Sequence, residues 1–224
     1  MIKKLLIGAL CLLPMVGLVG CGQMDSLSLV QNNMSERADV YYFSNNENLK
    51  ISLASGQRES TYNYDGVSTD KVDFALIVAQ LDSADAELCQ VTIDGVQSDV
   101  LLEFNYRTGT HMADLERKLT GEEEIQITYG DQTATMVNKS NEFAVSSSQA
   151  IELGCQHLQD FIEPLCDGNN FDGECYLRIM DTLTGEENGA LWLFSVMSKD
   201  GQIKNVIIST TEQIVLADDG GDVV

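Results

Sequence analysis

A rhythm in the middle of the chain constrains the fold most. From Ala38 to about Ser140, short apolar or alternating runs are broken by Gly, Asp and Asn. Leu49, Ile51 and Leu53 fall on one face of an extended segment, with Lys50 and Ser52 on the other. The same reading predicts strands at Ala38–Phe43, Ser60–Tyr64, Val72–Leu81, Leu88–Ile93, Val100–Tyr106, Ile125–Tyr129 and Thr133–Val137. Asp65-Gly66, Asp94-Gly95 and Gly130-Asp131 stand where turns are needed, and Asp94-Gly95 is the strongest hairpin signal among them. One short helix is expected at His111–Leu119, where Met112, Leu115 and Leu119 share a helical face. Many short strands with turn residues at even spacing predict an antiparallel β-sandwich of immunoglobulin-like type over residues 38–140.

After residues 141–147 the apolar period changes from two to 3.6. Ser146 and Gln149 have the spacing of a capping box, and Ile151, Cys155, Leu158, Ile162 and Leu165 form one apolar stripe. Pro164 is expected to end or bend this helix near Glu163. Strands are then predicted at Cys175–Leu183, Ala190–Met197 and Ile203–Ser209, and Gln213–Leu216 is a candidate fourth, with a turn at Lys199-Asp200-Gly201. Residues 145–217 thus read as a small α+β domain, a helix on an antiparallel meander, and 218–224 as an acidic tail. In element order this part resembles the PepSY-type and cystatin-like small domains of cell-envelope proteins.

The first two dozen residues address location. Lys3 and Lys4 precede an apolar run from Leu5 to Val19. As a helix that run spans only about 22 Å, against a bilayer core of about 30 Å, so it reads as the core of a signal peptide. It ends in Leu18-Val19-Gly20-Cys21, which resembles the lipobox of bacterial lipoproteins. The resemblance implies removal of residues 1–20, a diacylglycerol on the Cys21 sulfur, and an extracytoplasmic protein held in the membrane by that lipid. Two acyl chains anchor stably where one is marginal. Residues 21–37, rich in Ser, Asn and Gln, read as a flexible tether.

Charge narrows the partners. The chain carries 13 Lys and Arg against 35 Asp and Glu, a net charge of −22, and loss of Lys3 and Lys4 with the leader deepens the excess. Such a surface repels nucleic acid phosphates and anionic lipid headgroups, so nucleic acid is excluded and the lipid must do the anchoring. A hydrophobic fraction of 44% is enough for a real core.

Motifs for chemistry are few. Cys89, Cys155, Cys166 and Cys175 remain after the leader and lipidation site, and an exported compartment permits disulfides. Cys166–Cys175 is the expected bridge, with buried free thiols as the alternative. Cys155–Cys166 would be separated by about 16 Å along an unbroken helix, beyond the reach of about 7 Å for bridged Cα atoms. No cysteine or histidine spacing suits a metal, and none is expected. The Asp167–Glu174 segment is oxygen-rich, but Phe171 occupies what would be the fifth position of a calcium loop, so a turn is expected there. His111 and His157 are the only histidines, and they stand in no recognisable catalytic motif. Glu122-Glu123-Glu124 reads as a solvated turn, and Tyr41, Tyr42, Tyr62, Tyr64 and Trp192 as packing or a binding surface. With no catalytic residue and no cofactor implied, the expected function is a non-enzymatic binding or adaptor module for an envelope protein or peptide. A ligand- or calcium-binding receptor subunit is the alternative, and an envelope hydrolase comes last.

Overall fold

The computed structural model describes residues 25–60, 69–180 and 190–218. The leader, Cys21, most of the strand expected at Ser60–Tyr64 with its Asp65-Gly66 turn, residues 181–183 and the tail beyond Asp218 lie outside the described residues. Among the described residues the chain forms α1 (Ser26–Asn32), then β1 (Met34–Ser44), β2 (Ile51–Glu59), β3 (Lys71–Ala79), β4 (Glu87–Ile93), β5 (Val96–Asn105), β6 (Thr110–Asp114), β7 (Ile125–Tyr129) and β8 (Gln132–Asn138). There follow α2 (Ser147–His157), α3 (Gln159–Ile162), the two-residue strands β9 (Cys166–Asp167) and β10 (Asn170–Phe171), β11 (Gly173–Met180), β12 (Leu191–Ser198), β13 (Ile203–Ser209) and β14 (Val215–Asp218).

The first eight strands do not make the expected sandwich. They run β1-β2-β3-β6-β5-β4-β7-β8, every neighbour antiparallel, and Tyr42, Phe43 and Ser44 of β1 pair with Asn138, Val137 and Met136 of β8. That last pairing closes the sheet into a barrel with a Greek-key excursion of β4 to β6. Alternate residues fill the interior: Tyr42, Ile51, Leu53, Ile77, Val91, Leu102, Ile125 and Ile127 are fully or nearly fully buried, and Ala75, Ala79 and Ala134 leave room for them. The centre is therefore a packed core.

β1 is the hinge of the architecture. Its eleven residues reach past the barrel, and its first half pairs in parallel with β11 through Met34, Glu36 and Arg37. One twelve-stranded sheet thus joins barrel and C-terminal strands, in place of a sandwich followed by a separate helix-bearing unit. The register shifts between Ala38 and Val40, opposite Gly56, and this bulge lets β1 turn from one partner to the other.

The helices cover one face of β11 to β13. The Ser146 hydroxyl accepts from the Gln149 N–H, and the Gln149 side chain accepts from the Ser146 N–H, so the capping box is formed. Ile151, Cys155, Leu158 and Ile162 are buried against Leu177, Trp192, Phe194 and Val206. The helix breaks at Leu158, before Pro164 is reached, and Pro164 lies in a short 3₁₀ turn instead. Gly154 lets α2 approach: a Cβ there would fall 2.2 Å from the Phe194 ring.

Two segments depart from expectation. Residues 26–37, read as part of a tether, form α1 and the start of β1, with Leu29 and Val30 in the C-terminal core. The helix expected at His111–Leu119 is instead β6 followed by a loop. His111 faces inward, Met112 lies in register between Val78 and Glu103, and Leu119 is buried in the barrel core with its N–H on the Ser55 hydroxyl at 2.8 Å. The three apolar residues have helical spacing, but a strand and a loop use them separately.

Candidate functional site

The barrel wall is incomplete on one flank. β5 is ten residues long and β6 only five. β6 pairs with β5 through Glu103, Phe104 and Asn105 alone, whereas β4 pairs with β5 from Val96 to Leu102 on the other side. β6 stops pairing with β5 at Met112 and continues along β3 to Asp114; the Leu115 N–H then goes to the Ala75 carbonyl of β3 at 3.0 Å, and Glu116 turns away with φ 42°. Hence no strand among the described residues pairs with Val96–Leu102 on the β6 side.

The hairpin geometry identifies the groups on that edge. Asp94 and Gly95 have φ 51° and 79°, as a two-residue type I′ turn requires. Ile93 and Val96 are therefore a hydrogen-bonded pair, and so are 91/98 and 89/100 by alternation. It follows that Gln97, Asp99 and Leu101 point their N–H and C=O groups away from β4, toward the open flank. Their side chains lie on the outer face of the barrel, where Leu101 stands directly opposite Leu88 and the two are 53% and 60% exposed.

Beside this edge runs a groove of about 470 Å³, lined by Leu76, Asp99–Leu101, Glu103 and Met112–Leu115. Its lining mixes the apolar Leu76, Val100, Leu101, Met112, Ala113 and Leu115 with the acidic Asp99, Glu103 and Asp114. Asp114 is ion-paired with Arg58, whose guanidinium also lies 5.2 Å over the Phe74 ring. Asp99 and Glu103 are exposed and join no ion pair among the described residues. The wall therefore offers three unpaired backbone positions, an aliphatic patch and two uncompensated carboxylates in one place.

The residues singled out from sequence lie elsewhere. His111 is fully buried, with Nε2 2.8 Å from the Asp85 carbonyl, Nδ1 without a partner and the ring edge-on to Phe104. His157 Nε2 meets Asp218 at 2.6 Å, fastening the end of α2 to β14. In the Asp167–Glu174 segment, Asp172 pairs with Lys199 and Glu174 accepts from the Tyr176 hydroxyl, so these carboxylates are committed. Tyr41 stacks on Phe143, which meets Trp192 edge-on, and the Trp192 indole donates to the Val145 carbonyl at 2.9 Å. These aromatics join the two cores. Tyr62 and Tyr64 lie outside the described residues.

Cys89, Cys155, Cys166 and Cys175 are free thiols in the structure. Because the helix breaks at Leu158, the geometric objection to a Cys155–Cys166 pairing does not apply; Cys155, Cys166 and Cys175 all border the C-terminal core. Burial pushes Cys155 up to about 12 and Cys89 up to about 11, and raises Cys175 well above the usual range, with the neighbouring thiols adding to it. Thiols so raised are poor nucleophiles near neutral pH.

Glu123 is more than part of a solvated turn. Its carboxylate accepts from the Thr120 N–H at 2.7 Å, the Gly121 N–H at 2.9 Å and the Tyr42 hydroxyl at 3.0 Å, holding the β6–β7 loop near the barrel core. Burial alone would raise this carboxyl, but the backbone N–H donors of Thr120 and Gly121 and the Thr120 hydroxyl outweigh it and hold it at about 2. A folded value below the unfolded one contributes stability above the unfolded value and loses it as pH falls through the folded one. Glu123→Gln should therefore lower the melting temperature near neutrality by about 2 °C, discounted for solvent screening. That gap should close as pH falls from 4.5 toward about 2, in melting curves of the two proteins. A gap independent of pH would contradict the assignment.

No protein family model, curated protein or solved structure matches the chain. The open flank was hidden in the sequence, because it depends on where β6 stops. The Asp94-Gly95 turn is its one legible marker, since that turn sets which residues of β5 face outward.

Proposed function

We propose that the chain is a non-enzymatic binding or adaptor module, anchored outside the cytoplasm by lipid on Cys21, which captures an extended segment of an envelope protein or peptide by strand addition to β5. The observation that carries the reading is the row of backbone groups at Gln97, Asp99 and Leu101 beside a groove lined by aliphatic and acidic side chains. An added strand pairs with such an edge through main-chain hydrogen bonds and takes its specificity from alternate side chains. Asp99 and the polar neighbours Gln97 and Ser98 also explain why the edge need not draw in copies at random, since charge on an edge strand opposes indiscriminate pairing.

The anchor is supported by Lys3, Lys4, the short apolar run and the Leu18-Val19-Gly20-Cys21 box. Cys21→Ser should abolish incorporation of labelled fatty acid and move the protein from the membrane to the soluble fraction. Continued labelling would refute lipidation at this residue. For the edge, a photocrosslinking side chain at Leu101 of the anchored protein should give a discrete adduct that Gln97→Pro removes. An adduct pattern identical to that from the outer β7 position Gln126 would contradict the binding assignment.

A further inference from the structure

The chemistry of the captured segment can be read from the wall it would join, resting on the edge reading above. On the outer face of β5, Asp99, Leu101 and Glu103 follow one another at alternate positions. In an added strand, residues i and i+2 lie on one face and stand opposite Asp99 and Leu101, while the place opposite Glu103 is held by Met112 of β6. Opposite charges across a strand pair stabilise and like charges destabilise, and an aliphatic residue gains most beside Leu101, with Leu88 across the hairpin.

We infer that the β5 edge selects an extended segment with a cation and an aliphatic residue two positions apart, the cation facing Asp99 and the aliphatic residue covering Leu101. A parallel addition carries the cation first, and an antiparallel addition carries it second. The residue between them points the other way, toward Val100 and Leu115, and is apolar or small. Asp114 does not add a second cation site, because Arg58 neutralises it.

The same geometry argues against a second copy of this chain as occupant. Two β5 edges paired antiparallel over Gln97–Leu101 are centred on Asp99 and oppose the two aspartates. That arrangement places like charges face to face, in chains that each carry −22. A cationic segment meets the opposite situation, since its approach is favoured by the excess negative charge of the whole protein.

The test uses the full protein without its leader and labelled peptides of about nine residues, a length typical of recognised strands. One has a lysine on each side of a leucine with valines between, so that either direction of addition meets the pattern, a second replaces the lysines by glutamates, and a third replaces them by threonines. Fluorescence anisotropy should give the lysine peptide an affinity about threefold above the threonine peptide, with the glutamate peptide weakest. Asp99→Asn should erase the difference between lysine and threonine peptides, as should about 1 M salt. Gln97→Pro should weaken both of these peptides, because it removes an N–H on the open side while leaving the β4 ladder intact.

The two layers of the argument fail in different ways. If Gln97→Pro weakens every peptide alike but neutralising Asp99 changes nothing, strand addition stands and the cation assignment is overturned. If the charge substitution matters but Gln97→Pro does not, the peptide is held by charge alone and the edge reading falls. A concentration-dependent dimer in sedimentation that Gln97→Pro abolishes would make a second copy the occupant and overturn the inference. Absence of binding by all three peptides would overturn it as well.

Discussion

Trp192→Ala should destabilise the protein by about 3 to 5 kcal/mol, the usual cost of emptying a fully buried aromatic site. Trp192 is 1% exposed and lies in the core between α2 and the β11–β13 sheet. Its ring meets Phe143 edge-on at 5.6 Å, and Phe143 stacks on Tyr41 of the barrel strand β1 at 6.2 Å. Truncation would open a cavity and also leave the Val145 carbonyl without its indole donor. Trp192→Phe keeps most of the volume and loses the donor, so its cost should be nearer 1 to 3 kcal/mol. Urea unfolding monitored by far-UV circular dichroism measures both. A loss below about 1 kcal/mol for Trp192→Ala would mean that this core is not packed as described.

Gly56→Ala should be the most damaging added methyl among the described glycines, about 3 kcal/mol or more. A Cβ at Gly56 would sit 1.9 Å from the Arg37 carbonyl oxygen, and that neighbour is backbone, which cannot rotate aside. The contact falls where β1 bulges between Ala38 and Val40 and passes from β11 to β8. Relief requires β1 and β2 to part or the bulge to unwind, and either disturbs barrel closure. At Gly154 the obstacle is the Phe194 ring, a side chain that can yield, so Gly154→Ala should cost less. Equal midpoints for Gly56→Ala and the parent protein would contradict this account of the bulge.

Local chemistry was readable in the sequence wherever a few residues determine the geometry. Asp94 and Gly95 adopt the positive φ values that their turn needs, Gly201 lies at φ 82° in the expected hairpin, and Ser146 with Gln149 forms its box. The stripe Ile151, Cys155, Leu158 and Ile162 faces the core even though the helix breaks within it. What the sequence hid is non-local. Alternation in strands such as Leu49–Leu53 fits a sandwich or a barrel equally well, because either buries one face. The choice fell to the pairing of Tyr42–Ser44 with Met136–Asn138, nearly a hundred residues away. The length of β1 is misleading too, since one continuous strand serves two partners, and α1 lies within a stretch whose Ser and Asn content suggests a tether.

The candidate site shows the same division. Its acidic and aliphatic residues are plain in Asp99–Glu103, but they become a site only because β6 stops pairing with β5 at Met112 and leaves Val96–Leu102 uncovered. That ending depends on the Leu115 bond to Ala75 and the turn at Glu116, neither of which has a sequence signature. His111, with its rare titratable ring, drew attention in the sequence and proves to be held inside the wall.

Residue-resolved amide hydrogen exchange, with and without the lysine-bearing peptide, tests the central claim most directly. Strand addition predicts that Gln97, Asp99 and Leu101 gain protection while Ser98 and Val100, already bonded toward β4, change little. Uniform protection along β5, or protection confined to another part of the protein, would contradict it.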